Sequence, residues 1–146
     1  MTIKYAMPIR FFFENTRISL GERRRLKNFI ENIFKQEGAV LNSLAIIFCT
    51  DDFLLGINND FLGHNYFTDI VTFNLCDEPG MIEGEIYISA DRIRENAKLN
   101  KVPVEKELHR VIFHGVLHLC GYKDKSSSQK KLMTSLENRN LKIYFA

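Results

Sequence analysis

Apolar residues recur along the chain at two periods. Leu26, Phe29, Ile30, Ile33 and Phe34 follow three- and four-residue steps, with Arg23, Arg24, Arg25, Lys27 and Lys35 on the remaining positions. This pattern predicts an amphipathic helix from about Leu20 to near Gly38, its C-terminal stop. Ile9 to Phe13, Leu44 to Thr50, Ile70 to Phe73 and Glu85 to Ser89 read as strands, Ile86 and Ile88 alternating with Tyr87 in the last. Asp51 to Phe61 is expected as a helix capped by Asp51 or Asp52, His64 to Thr68 as a loop, and Glu78-Pro79-Gly80 as a turn. Ser89 is placed to cap a helix reaching about Asn100. Pro103 sits at the first turn of the next helix, where its missing N–H costs nothing. That helix runs to about Cys120 and stops at Gly121. Ser126 to Ser128 start a last helix with Leu132, Met133 and Leu136 as its apolar stripe. Four short strands and about five helices in mixed order predict an α+β fold. Its core is one small mixed four-stranded sheet packed with helices, in a single domain over residues 1–146.

The helix after Pro103 is unusual. On a helical wheel Leu108, Val111, Ile112, Gly115 and Leu119 share one side, while Phe113 and Leu117 lie roughly opposite. A helix apolar on both sides is buried. Its polar positions narrow to one stripe of Glu107, Arg110, His114 and His118. Residues four apart stand one above the other, so the two imidazoles project together and can hold one metal ion. Gly121 ends the helix, and Asp124 follows on the segment that reverses there. Its carboxylate is the candidate third ligand, and three ligands leave positions open for water and substrate, the catalytic arrangement. The bland alternatives are hydrogen-bonded core or surface histidines, and an acid solvated between Lys123 and Lys125. His109 lies off the stripe, and nothing places His64 at the site. Gly115 stands where a zincin protease has the glutamate of HExxH, which disfavours peptidase chemistry of that type.

Composition narrows the class. The 146 residues are 45% hydrophobic and 26% charged, which excludes disorder, collagen and coiled coil. The longest apolar run, Leu44 to Cys49, has six residues, against about 20 for a membrane span. The N-terminus lacks a signal peptide's apolar stretch, so a cytoplasmic location is expected. Cys49, Cys76 and Cys120 are odd in number, far apart and without CxxC spacing, and read as reduced thiols, not a disulfide frame. Asp51 to Asp91 holds nine acidic residues and no Lys or Arg, while the flanks hold all 20 basic residues. Such asymmetry points to a polyanion-facing surface or to solvated helix faces.

His114-Gly115-Val116-Leu117-His118-Leu119-Cys120-Gly121-Tyr122 resembles the signature HGxLHLxGYDH of the YbeY family, bacterial rRNA maturation factors and single-strand endoribonucleases. Ile57 to Phe61 with Thr68-Asp69-Ile70-Val71-Thr72-Phe73, and Gly84-Glu85-Ile86-Tyr87-Ile88-Ser89, resemble two further family blocks in the same order. The resemblance covers about residues 40 to 125. It implies a zincin-like fold, one zinc ion per chain, cleavage in maturation of the 3′ end of small-subunit (16S) rRNA, ribosome quality control, and the small ribosomal subunit as partner. It also implies a ligand set of His114, His118 and Asp124, with Asp124 standing where the family has its third histidine. A carboxylate can replace imidazole on zinc, but oxygen suits harder cations. Lys123 stands for the family aspartate, Leu62 for an arginine and Glu85 for an aspartate. Arg110, Lys123 and Lys125 are the candidate RNA contacts through phosphate neutralisation. No residue stands out as general base. Two alternatives remain open: a ribosome-assembly RNA-binding factor with a structural metal and little catalysis, and a non-haem iron site.

Overall fold

The computed structural model describes residues 8–64 and 66–146. Nine elements follow in chain order: β1 (Ile9–Phe13), α1 (Arg23–Gln36), β2 (Val40–Cys49), α2 (Asp51–Leu62), β3 (Ile70–Asn74), β4 (Met81–Ser89), α3 (Ala90–Asn100), α4 (Val104–Leu119) and α5 (Ser127–Tyr144). The sheet order is β1-β2-β4-β3. The pairs β1·β2 and β2·β4 are parallel, and β3 runs antiparallel to β4 as an edge strand. The expected α+β class, with one mixed four-stranded sheet and five helices, is the observed one.

Period-two alternation sends the two faces of the sheet to different cores. Ile9, Leu44, Ile46, Phe48, Ile82, Ile86 and Ile88 face α1 and α4 and form the main cluster with Leu26, Ile30, Phe34, Val111, Ile112 and Val116. On the opposite face Cys49 and Val71 pack under Leu54 of α2, flanked by Ile57, Phe73 and Tyr87. Phe113 and Leu117 of α4 are both buried, as its two-sided apolar pattern requires. Gly115 has a packing role. A Cβ there would lie 2.8 Å from Cδ1 of Ile70 and 3.1 Å from two atoms of Ile86. Its absence lets α4 cross close over β3 and β4, which sets His114 and His118 beside the sheet edge.

Local chemistry moves several boundaries. Thr50, not Asp51 or Asp52, caps α2, its hydroxyl accepting from the N–H of Phe53. Asp51 instead takes a bidentate pair with Arg92 and a 2.6 Å hydrogen bond from Ser89, tying the starts of α2 and α3 together. Ser89 also accepts from Arg92 N–H as the cap of α3, as expected. Ser126 and Gln129 form a capping box at the start of α5. The α5 stripe differs from the expected one: Met133, Glu137, Leu141 and Tyr144 are buried while Leu132 is half exposed. β2 and β4 extend several residues beyond the apolar runs, because polar Asn42, Ser43 and Glu83 occupy the outer face. The cysteines are free among the described residues, and no described helix is long and apolar enough to cross a membrane.

His109 belongs to the core. Its Nδ1 donates to the carbonyl of Glu105 at 2.7 Å, and its ring packs against Phe113, Tyr144 and Phe145. Burial lowers the pKa of the imidazole, so the ring is held neutral and away from the polar stripe.

Phe113 is fully buried between α1, α4 and α5, in contact with Phe29 and Tyr144. Phe113→Ala is expected to lower unfolding free energy by roughly 3–5 kcal/mol, measured by urea titration. An unchanged midpoint would contradict the central position of α4.

Candidate metal centre

The last turn of α4 is shaped by what its backbone does next. Gly121 has φ +107°, a conformation open to glycine and strained for other residues. Its N–H donates to the carbonyl of His118 at 3.0 Å, and the N–H of Tyr122 reaches back to Leu117 at 3.1 Å. This closure satisfies terminal carbonyls of the helix and reverses the chain. The carbonyl of Tyr122 then accepts a 2.8 Å hydrogen bond from Nδ1 of His118. Two residues later the carboxylate of Asp124 lies between the two rings. Oδ2 is 3.3 Å from Nε2 of His114 and 3.4 Å from Nε2 of His118, and one ligand atom from each residue falls within 4.8 Å of the others. The structure therefore brings together all three residues expected as ligands.

His114 is held from the other side. Its Nδ1 lies 2.5 Å from Oε2 of Glu137, a buried residue of α5. Glu137 also accepts from Arg110 at 3.0 Å, and Arg110 forms a two-pronged contact with buried Glu107. Burial pulls the imidazole of His114 down, but the Glu137 hydrogen bond and charge, with Asp124 and Asp69, outweigh it and raise the pKa. The hydrogen bond to Glu107 is the main reason Arg110 stays above its ordinary range. With both Nδ1 atoms engaged by acceptors, both Nε2 lone pairs are free for the shared point beside Asp124.

The donor set fits a small divalent cation. Ligands 2.0–2.1 Å from a tetrahedral zinc are roughly 3.3–3.4 Å apart, the spacing of Asp124 from each ring. The second set of hydrogen bonds, carbonyl on one histidine and carboxylate on the other, is the usual support of metal-bound imidazoles.

The three side chains open into a cleft of about 410 Å³. Another wall includes Leu62 at the end of α2, His64, Tyr66, Thr68, Asp69 and residues of β3. His64, which sequence alone leaves unplaced, thus faces the site. Leu62, at the position of the family arginine, lines it without charge. Of the three candidate RNA contacts, Lys123 and Lys125 are exposed on either side of Asp124. Arg110 is turned into the fold by Glu107 and Glu137, and its geometry makes it an anchor for Glu137. Glu137 and Asp69 were not among the candidates. Asp69 stands in the Thr68-Asp69 pair just before β3, a signal that was present. Glu137 gives no such signal, since one acid on a charged helix reads as solvated.

Comparison with known proteins agrees with this architecture. The family model described as Endoribonuclease YbeY matches residues 11–144. Two proteins named Endoribonuclease YbeY are similar over most of their length. One, from Cytophaga hutchinsonii, is 44% identical over 133 residues, covering 91% of this chain and 93% of the relative. The other, from Flavobacterium psychrophilum, is 46% identical over 119 residues, covering 80% and 83%. The solution structure of TM1509 from Thermotoga maritima superposes with a TM-score of 0.62 at 30% identity, covering 94% of this chain and 89% of that one. The family model spans every element from α1 to α5, and relatives of 44% and 46% identity cover most of the chain: the chain belongs to the endoribonuclease YbeY family.

Proposed function

We propose that the protein is a metal-dependent endoribonuclease that hydrolyses single-stranded RNA, using one zinc ion held by His114, His118 and Asp124. The observation that carries this reading is the meeting of two Nε2 atoms and one carboxylate oxygen at 3.3–3.4 Å, with both opposite ring nitrogens engaged by the protein. A divalent cation there supplies Lewis acidity toward a phosphoryl oxygen and a bound water of lowered pKa. The chain's own residues do the rest. Gly121 and the Tyr122 carbonyl orient His118, Glu137 orients His114, and Arg110 holds Glu137. Exposed Lys123 and Lys125 flank Asp124 in the chain and are suited to neutralising phosphates of the strand. Asp69 adds a second carboxylate to the wall. The RNA is the 3′ region of small-subunit rRNA, cut during maturation and ribosome quality control in the cytoplasm. The family resemblance supports this assignment.

A second reading is favoured by one observation, the apolar Leu62 on the cleft wall where the family pattern has arginine. In it the protein is a ribosome-assembly factor with a structural metal. A folded His118→Ala protein that restored rRNA processing in a null strain would support binding without catalysis.

Three outcomes are expected. Elemental analysis of purified wild type gives about one zinc per chain, and Asp124→Ala gives markedly less; equal content would remove Asp124 from the site. Glu137→Gln, which weakens the acceptor at His114 Nδ1, lowers zinc affinity about 10- to 100-fold in chelator competition. An unchanged affinity would show Glu137 to be a packing residue. Cleavage of single-stranded rRNA is lost on chelation and in His114→Ala, and gel analysis showing undiminished cleavage by that variant would overturn the metal-site mechanism.

A further inference from the structure

The cleft of the metal ligands carries two aromatic rings in an unusual state. His64 and Tyr66 stack on each other with centroids 5.1 Å apart and planes 18° from parallel. The Tyr66 hydroxyl sits 3.0 Å from Nδ1 of His64. Both residues are exposed, Tyr66 at 57%, and both line the cleft with His114, His118 and Asp124. Single exposed aromatics are ordinary on protein surfaces. A stacked pair that stays exposed in the cleft of the metal ligands leaves ring surface uncovered where it adds nothing to the core.

The backbones of His64 and Tyr66 are each tethered to α2. α2 ends at Gly63 with φ +69°, which turns the chain sharply. The N–H of His64 then donates to the carbonyl of Asn58 at 3.1 Å. The side chain of Asn58, itself 2% exposed, donates to the carbonyl of Tyr66 at 3.0 Å. The buried amide thus anchors the backbone of Tyr66 beside the cleft, and the ring itself is held by its stack and hydrogen bond with His64.

We infer that the His64–Tyr66 pair is a stacking platform for one unpaired base of the RNA strand whose backbone lies at the metal ligands. This deepens the proposed endoribonuclease reading and rests on it. A base adds a third layer to the two rings, with the exposed ring of Tyr66 as its partner. Stacking on aromatic side chains is how unpaired bases are held, and it tolerates any base identity. A base stacked inside a duplex has no free face to offer. The platform therefore supplies single-strand selectivity without reading sequence. The occupant is a nucleobase and not an apolar peptide side chain, because the cleft also carries the ligand triad, and exposed Lys123 and Lys125 adjoin Asp124 in the chain, groups matched to a phosphodiester backbone.

The test compares zinc-loaded wild type with Tyr66→Ala, Tyr66→Phe and His64→Ala, each checked for fold by circular dichroism and for zinc content. Binding of a single-stranded oligoadenylate and of a duplex is read by fluorescence anisotropy at one fixed salt concentration. Tyr66→Ala is expected to weaken single-strand binding about 5- to 150-fold, the range of one stacked base, with duplex binding unchanged. Tyr66→Phe retains wild-type affinity, since the ring and not the hydroxyl makes the stack, and His64→Ala loses part of it. An oligoadenylate with a single abasic position, scanned along the strand, weakens wild type at one position and leaves Tyr66→Ala indifferent there. Equal losses on single strand and duplex, or no loss in a folded Tyr66→Ala protein, would overturn the platform. Zinc content and residual cleavage separate this failure from that of the metal-site reading. A wild-type protein without zinc or cleavage removes the latter, whereas normal zinc and cleavage with unchanged Tyr66→Ala binding removes the platform alone.

Discussion

The direction of two imidazole lone pairs is the constraint on which the rest of the molecule depends. An unrestrained histidine presents either ring nitrogen; here neither does so freely. His118 is fixed by the carbonyl of Tyr122, which is available only because Gly121 turns the chain at φ +107°. His114 is fixed by Glu137, which is available only because α5 packs back along α4 after the capping box at Ser126. The reversal that supplies the third ligand, Asp124, is the same one that starts α5. One short segment, residues 120–126, therefore sets all three donors.

The buried charges behind His114 follow from that arrangement. Glu107 and Glu137 are two nearly inaccessible carboxylates, and Arg110 is the guanidinium between them. Uncompensated buried charge is costly, so the second carboxylate needs a positive partner, and His114 is its other neighbour. That accounts for the direction of the His114 shift, in which the carboxylate outweighs burial. A cation on Nε2 meets the same need through the ring, so the residues that hold the fold together here also favour a metal at the site.

The elements with a clear period were legible in the sequence: α1, the two-sided apolar α4, the alternating end of β4, and the caps Ser89 and Ser126. The paired imidazoles were legible for the same reason, since a four-residue step on a buried helix needs no tertiary knowledge. What failed depended on partners distant in sequence. Asp51 reads as a cap from local pattern, but Arg92 and Ser89 claim it from α3, leaving the cap to Thr50. Arg110 reads as a free cation on a polar stripe, until Glu137 from another helix takes it inward. Glu137 was invisible because burial of an acid is decided by what it meets, and His64 because a loop position has no period. Leu132 reads as a core position because it continues the apolar stripe of Met133 and Leu136, but α5 is rotated so that Glu137 and Leu141 are buried instead.

The charge inside the cleft bears on how a strand enters it. The described lining includes the carboxylates of Asp69 and Asp124, and neither Lys nor Arg. Leu62 contributes a side chain that is half exposed and uncharged. A phosphodiester approaching such a surface is repelled at short range, and exposed Lys123 and Lys125, outside the lining, act through screening solvent. Positive charge at the ligand triad is thus needed to admit the backbone as well as to activate it. The remaining attraction has to come from groups indifferent to charge. An aromatic face meets that condition, because stacking draws on the base and leaves the phosphate to the triad. The uncharged Leu62 and the exposed Tyr66 ring line the same cleft, and under the inferred platform grip on the base takes over where grip on the phosphate is weak.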